Sequence, residues 1–277
     1  MSLVLLAPVR RRRFAVTLWL SAVMLLLVVL WALFPALFAH GDPLVGDPRQ
    51  ALQPPSAQFW FGTDHLGRDL WSRTVFGTAL TLQATLFSVL IALVVGSLSG
   101  VLAGYCGGRL DSLFMRVIDV LMAIPNLLLA MAIITVLGFG TLHIAVAVGL
   151  SSVATFARLS RGEVLRSRTQ LFVEAARASG VGHFSVVRQH ILPHALGPVL
   201  SLAALEMGFA LLSVSSLGFL GFGAPPPTPE WGLLIAEGRN YIAAAWWFTS
   251  LPGVVIILTV LATNRIAGFI QDASEER

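Results

Sequence analysis

The chain of 277 residues is 56% hydrophobic and only 12% charged, and its mean hydropathy is +0.83. Because an ordinary soluble domain has about 25% charged residues, this composition excludes a disordered chain, a nucleic-acid-binding module and most soluble enzymes. All eighteen basic residues are arginine, which gives a net charge of +4. We therefore predict an all-α polytopic protein in a lipid bilayer, with its arginines held mainly on the cytoplasmic side.

Six apolar stretches are candidate transmembrane helices, since about 20 apolar residues cross the hydrocarbon core. We predict spans at 14–38, 79–104, 117–137, 142–158, 195–221 and 245–264. The first exceeds the apolar part of a signal peptide, which has about 7–15 residues, so we expect an uncleaved anchor. The fourth is the shortest and is mildly polar, because it contains Ser151, Ser152 and Thr155.

Arginine counts in the connecting segments predict the orientation. With six spans and both termini in the cytoplasm, fourteen arginines lie inside and four outside, as the positive-inside rule requires. The chain then divides into a cytoplasmic segment 1–13, one transmembrane domain at 14–268 and a cytoplasmic tail at 269–277. Within the domain, we predict outer loops at 39–78 and 222–244 and a cytoplasmic loop at 159–194.

The cytoplasmic loop predicts two short helices joined by a turn. Residues 170–179 are mostly good helix formers, and Gly180 suits the left-handed residue that ends a helix. A second helix is expected over 183–190, before Pro193 opens the fifth span. From the residues alone, the loop is either a structured connector or a surface that another protein approaches closely.

Three motifs of the chain resemble those of ABC-importer permeases. The cytoplasmic loop contains Glu174-Ala175-Ala176, Gly180 and His190-Ile191-Leu192-Pro193, which is similar to their EAA loop. The runs Phe61–Asp69, Phe219–Gly223 and Pro225–Trp231 are similar to motifs of the dipeptide/oligopeptide/nickel permease family, specifically its second, shorter-headed subunit. The resemblance extends over about residues 10–272.

The resemblance implies a six-helix permease of the type I ABC importer architecture in a bacterial inner membrane. It implies that a separate ATPase receives the loop through the residues Glu174, Ala175, Ala176, Gly180, His190 and Pro193. It also implies a second homologous permease in a heterodimer, two ATPase subunits that use the ATP, and an extracytoplasmic substrate-binding protein. No cofactor is expected on this chain. Ser179 and Val214 depart from many relatives, so the cargo stays open between peptides, nickel and other metal chelates.

The motif expected outside, after the first span, contains Thr63, Asp64, Gly67, Arg68 and Asp69. Thr63 can cap a helix with Asp64 in its first turn. Asp64–Arg68 and Asp69–Arg73 are acid-before-base pairs at helical spacing. We therefore expect a helix near the outer surface, which serves as a platform for the binding protein, a cap on the pathway, or a structural element only.

Two carboxylates fall inside the predicted spans, where an ionised group is costly and indicates function. Asp119 is one turn from Arg116, which predicts a local ion pair. Glu206 lies deeper and has no local partner, so it either lines a pathway or bonds to a neighbouring helix. These two residues also leave open an intramembrane enzyme, or a passive channel or scaffold.

Small residues recur in the second span at Gly96, Gly100 and Gly104, a spacing that predicts close helix packing. The six histidines form no metal-binding pattern, and the single Cys106 excludes an intrachain disulfide. No catalytic constellation is found. Because lysine is absent, the chain has no Walker A phosphate loop, and we expect it not to be an enzyme.

Overall fold

The computed structural model describes residues 7–275, and the side chains of residues 16–272. Within these bounds the chain is helical and forms no β-strand beyond two isolated bridges. The helices are α1 (Ala7–Leu33), α2 (Leu70–Ile91), α3 (Ser97–Cys106), α4 (Gly108–Ala123), α5 (Asn126–Leu137), α6 (Thr141–Arg168), α7 (Leu171–Ala178), α8 (His183–Val186), α9 (Leu192–Phe219), α10 (Trp231–Gly238) and α11 (Trp247–Glu275). Two π-helical turns, Ala92–Gly96 and Val187–Ile191, connect α2 to α3 and α8 to α9 without a break.

Five helical stretches are long and apolar enough to cross a bilayer: Val16–Leu33, Leu70–Cys106, Thr141–Arg168, His183–Phe219 and Trp247–Asp272. They confirm the positions of predicted spans one, two, four, five and six. A sixth crossing exists only if α4 and α5 are counted as one broken span.

The ends of these spans differ from the expected boundaries. α1 stops at Leu33 because Pro35 follows, and proline cannot continue the hydrogen bonding of a helix. α6 continues to Arg168, so the predicted cytoplasmic loop begins later than 159. α11 runs through 269–275, which we expected to be a separate tail. Residues 1–6 and 276–277, and the side chains of the arginines at 10–13, lie outside the described part.

The prediction of one continuous helix for the third span, 117–137, is wrong. α4 ends at Ala123, and Ile124 takes extended backbone angles, with φ −98° and ψ 129°. A residue before proline is driven into this region because the ring of the proline, here Pro125, would clash with a helical predecessor. α5 restarts at a bend of 98°, and its 12 residues cover about 18 Å, roughly half of a bilayer.

Helix α6 is at the centre of the bundle. It packs against α2, α3, α4, α5 and α9, while α9 packs against α11 and α1 lies against α2 and α11. The bundle has two distinct ends. Residues 34–69 and 220–246 lie at one end, called here the 34–69 end, and α7 and α8 lie at the other, called the α7 end.

The glycine stripe of α3 lies directly on α6, which confirms the packing prediction. A Cβ atom at Gly96 would come within 2.6 Å of the Val153 carbonyl oxygen. A Cβ at Gly100 would overlap the Ala157 carbonyl oxygen, and one at Gly104 would lie 3.0 Å from the Arg161 carbonyl oxygen. The two backbones therefore touch over three successive turns, which only residues without a side chain permit.

Replacing Gly100 with alanine should lower the free energy of unfolding by about 1–3 kcal/mol, because the added methyl group must push α3 and α6 apart. Gly162→Ala in α6 is the matched control, since nothing lies within 4 Å of a Cβ atom there. The control should be neutral or stabilising by roughly 0.5–1 kcal/mol. Thermal unfolding of the detergent-purified protein measures both, and equal stability of the two variants would contradict this close contact.

Candidate functional site

The segment between α6 and α9 forms two short helices around a tight turn. Gly180 has a φ of +81°, the left-handed conformation expected at the end of α7. The turn is closed by two hydrogen bonds, in which the Gly180 amide donates to the Arg177 carbonyl and the Val181 amide donates to the Ala176 carbonyl. The second helix was expected to end at His190. Instead it continues through the π turn into α9.

A small apolar cluster holds this loop against the rest of the bundle. Val173 of α7, Val186 of α8 and Ile191 pack with Val164 of α6, and all four are fully buried. The Tyr105 hydroxyl lies 2.8 Å from Nδ1 of His183. The loop therefore contacts both α3 and α6.

The loop also has an exposed surface, which carries both apolar and charged side chains. Leu171 and Phe184 are 82% and 77% exposed, and Glu174 and Ala175 are also exposed. Large exposed apolar side chains on a short loop indicate a surface that another protein covers. The sequence analysis did not single out Leu171 or Phe184, although both are apolar residues within the loop.

The remaining residues of the predicted loop motif lie around this surface. Ala176 and His190 are half-buried, and Pro193 is exposed at the start of α9. The structure thus places all six motif residues at the α7 end, within one helix–turn–helix unit. Ser179 is exposed, and its hydroxyl donates to the Ala175 carbonyl at 2.9 Å.

The predicted surface helix at the 34–69 end does not exist. Thr63 is buried in an extended segment, where its hydroxyl donates to the Gln50 carbonyl at 2.5 Å. The helix that follows is α2, and its N-cap is Asp69, whose carboxylate accepts from the amides of Trp71 and Ser72. Asp69 was expected to pair with Arg73, but Arg73 pairs with Glu237 instead.

The other residues of this motif shape the turn that precedes α2. One oxygen of Asp64 accepts from the amides of Leu66 and Arg68, at 2.8 and 2.9 Å. Gly67 has a φ of +73°, and a Cβ atom there would overlap the Asp47 carbonyl oxygen. The turn is therefore held by hydrogen bonds from backbone amides to the Asp64 side chain and requires glycine at position 67.

Four buried charges connect this motif to α10. The Arg68 Nε donates to Asp64 at 2.5 Å, as predicted, while the Arg73 Nη2 donates to Glu237 of α10 at 2.9 Å. Arg68 also lies 3.5 Å from Glu237, and Arg73 lies 3.7 Å from Asp64. We call these four residues the charge clamp. Its side chains are at most 10% exposed, and its two acids balance its two bases.

A second buried acid fixes the start of α10. Glu230 is 1% exposed, and its carboxylate accepts from the amides of Gly232 and Leu233 at 2.9 and 3.0 Å. Burial raises the pKa of this carboxyl above its ordinary value, and the two amide donors oppose that rise. The next residue, Trp231, donates its indole N–H to the Thr74 carbonyl of α2. The motif Pro225–Trp231 therefore joins α10 to α2.

Glu237→Gln should lower the free energy of unfolding by about 3–5 kcal/mol, because it leaves two buried arginines with a single carboxylate. Asp42→Asn is the control: Asp42 is an exposed acid at the same 34–69 end, and asparagine can still accept from the Leu44 amide. We expect thermal unfolding of the purified protein to shift for the first variant only. If both variants unfold like the unmodified protein, the clamp does not hold the two segments together.

The sequence analysis expected Asp119 to pair with Arg116, and this prediction is wrong. The Asp119 carboxylate instead accepts from Arg158 of α6, and Asp111 accepts from Arg161 at 2.5 and 2.7 Å. The side chains of Asp119 and Arg158 are 64% and 50% exposed. Asp119 is therefore part of the connection between α4 and α6, and it lies on the surface rather than deep in the bundle.

Glu206 lies in α9, beside α6 and near the middle of the helix. Its side chain is half-buried, and the Ser152 hydroxyl of α6 donates to its Oε2 at 3.5 Å. Val214, the other position of interest in this helix, is fully buried in the contact with α5 and α6. Of these two positions, only Glu206 has part of its side chain open to the surroundings.

Two cavities open along α6 and α9 between Glu206 and the α7 end. Their volumes are about 510 and 420 Å³. Leu159 of α6 and Leu202 of α9 line both of them. The two helices therefore border a groove, called here the α6–α9 groove, which Met122 of α4 and Gln271 of α11 also line.

This chain is similar to known proteins in both fold and sequence. A solved structure of the methionine ABC transporter MetNI in an inward-facing conformation has a TM-score of 0.61 and 21% sequence identity, over 73% of this chain and 95% of that one. The probable D,D-dipeptide transport system permease protein DdpC of Escherichia coli is 39% identical over 91% of this chain and 85% of its own length. The di/tripeptide transport system permease protein DppC of Pseudomonas aeruginosa is 40% identical over 91% and 86%.

The fold and the family match together define the class of this all-helical, multi-pass bundle, which is the membrane component of a transport system. Residues 92–277 match the model of the binding-protein-dependent transport system inner membrane component. The chain belongs to this family. It is therefore a permease subunit in an inner membrane, and membership implies a partner that binds the substrate.

Proposed function

We propose that this chain is one half of the permease of a peptide importer, with the α7 end and both termini in the cytoplasm. The observation that carries the proposal is the exposure of Leu171 and Phe184 on the α7–Gly180–α8 loop, which suits this loop to docking in an ATPase cleft. Peptides are the proposed cargo because the relatives described above are named for dipeptides and tripeptides. Nickel and metal chelates are not proposed as cargo, because no observation described above supports them.

The proposed assembly contains four further subunits. A related permease faces the α6–α9 groove. Two ATPases bind the loops of the two permeases and use the ATP, and a substrate-binding protein delivers cargo to the 34–69 end. This chain itself holds no cofactor in the proposal. An enzyme or a passive channel would have no use for the exposed loop.

The connection between α8 and α9 suggests how ATPase movement reaches the groove. From His183 to Phe219 the chain is one helical stretch of 37 residues, about 55 Å long. A push on the Gly180 turn therefore moves one end of the helix that carries Glu206. Because Val173 and Val186 pack on Val164, the same push also acts on α6.

Gly180→Val should reduce peptide uptake at least tenfold, because a β-branched residue is strained at positive φ and the turn must open. Gly182→Val is the matched control, since Gly182 lies two residues away with φ −63° and ψ 150°, angles that valine adopts readily. Uptake into proteoliposomes and copurification of the ATPases measure both variants. Membrane insertion should be unaffected, and normal uptake by Gly180→Val would refute the coupling role.

The orientation can be tested with the single native cysteine. Cys106 is exposed at the end of α3 near the loop, so a membrane-impermeant maleimide should label it only after the cytoplasmic side is opened. In a Cys106→Ser background, Ser56→Cys should be labelled in intact cells, because Ser56 is exposed at the 34–69 end. The reverse labelling pattern would overturn the proposed topology.

A further inference from the structure

Glu206 is a carboxylate near the middle of a membrane-spanning helix. It is about 20 Å from either end of α9. We propose that Glu206, together with Ser152 and Phe209, forms a mid-membrane subsite that binds the ammonium group of the peptide cargo. This inference rests on the proposed function, because it names what the permease recognises in a peptide.

The fold makes little use of the Glu206 carboxylate. Its one hydrogen bond in the described structure comes from Ser152 at 3.5 Å, the outer limit for such a bond. Among the described side chains, no arginine or histidine forms an ion pair with it. Glu230, the acid that does stabilise the fold, is fully buried and accepts two backbone N–H groups at 3.0 Å or less. The two acids are thus held in different ways.

The position of Glu206 around α9 places it at the edge of the contact with α6. The residues that fill this contact are buried: Val199, Ala210, Val214 and Leu217. With 100° between successive helical residues, Leu202, Glu206 and Phe209 lie along the adjoining edge. Phe209 is 62% exposed, so an aromatic ring stands open one turn from the carboxylate.

This edge is continuous with the α6–α9 groove. Leu202, one turn from Glu206 toward the α7 end, lines both cavities described above. Thr155, one turn from Ser152, lines one of them. Glu206 itself lines neither cavity, but it lies one turn beyond Leu202 toward the middle of α9. At this depth a charge is costly unless it is hydrated or meets an opposite charge.

These three groups suit an ammonium ion. The carboxylate accepts charge-assisted hydrogen bonds, the Ser152 hydroxyl oxygen can accept one more, and a cation near the face of the Phe209 ring is attracted by its π electrons. Every unmodified peptide has an N-terminal ammonium, whatever its side chains. A subsite for this group can therefore accept many sequences.

The test uses the complete importer in proteoliposomes, with ATPases, partner permease and binding protein, and radiolabelled dialanine as the probe. Glu206→Gln keeps an acceptor for Ser152 but removes the charge, whereas Glu206→Asp keeps the charge. We expect the initial uptake rate to fall about tenfold for the first variant, and less than threefold for the second. Asp272→Asn, a change of an exposed acid at the end of α11, should leave the rate unchanged.

A second probe and a stability measurement separate cargo binding from structure. N-acetyl-dialanine lacks the ammonium, so its uptake should not fall further in Glu206→Gln, and the thermal unfolding of the complex should not change. Unchanged dialanine uptake in Glu206→Gln, equal losses for both peptides, or equal losses in the Gln and Asp variants would overturn the inference. If the unmodified importer moves neither peptide, the proposed function fails instead.

Discussion

Close backbone contact between α3 and α6 is the constraint on which the arrangement of the bundle depends. Gly96, Gly100 and Gly104 bring the two helices together over three turns, and α6 contacts most of the other helices. Lipid is as apolar as a leucine side chain, so the hydrophobic effect does little to join helices within a bilayer. Tight packing and polar contacts must supply that stability, and here a side chain at any of the three glycines would press against α6.

Polar contacts add to the stability that packing provides, and each of them joins separate parts of the chain. The ion pairs between α4 and α6 hold a helix that the bend at Pro125 has turned away from α5. At the 34–69 end, the charge clamp connects an irregular segment to α10. The bundle is thus stiff at this end, while the long α8–α9 helix gives the other end a direct connection to the groove.

Local signals in the sequence predicted the features that depend on neighbouring residues. The glycine stripe and the left-handed Gly180 were found because a fixed spacing or a single residue type dictates them. The break in the third span was missed, although Pro125 signals it, because hydropathy alone does not distinguish a bent helix from a straight one. The pairing of Arg73 with Glu237 could not be predicted, since 164 residues separate them and no local pattern connects them.

That separation affects the order in which the protein can be completed. Asp64, Arg68 and Arg73 are synthesised early and carry one more positive than negative charge, whereas Glu237 follows only after α9 has been made. Until Glu237 is made, one of the two arginines has no carboxylate partner. The burial of the four charges must therefore wait for nearly the whole chain. A chain whose synthesis stops before α10 would lack both Glu237 and the last span, α11, so Arg73 could not be buried with its partner.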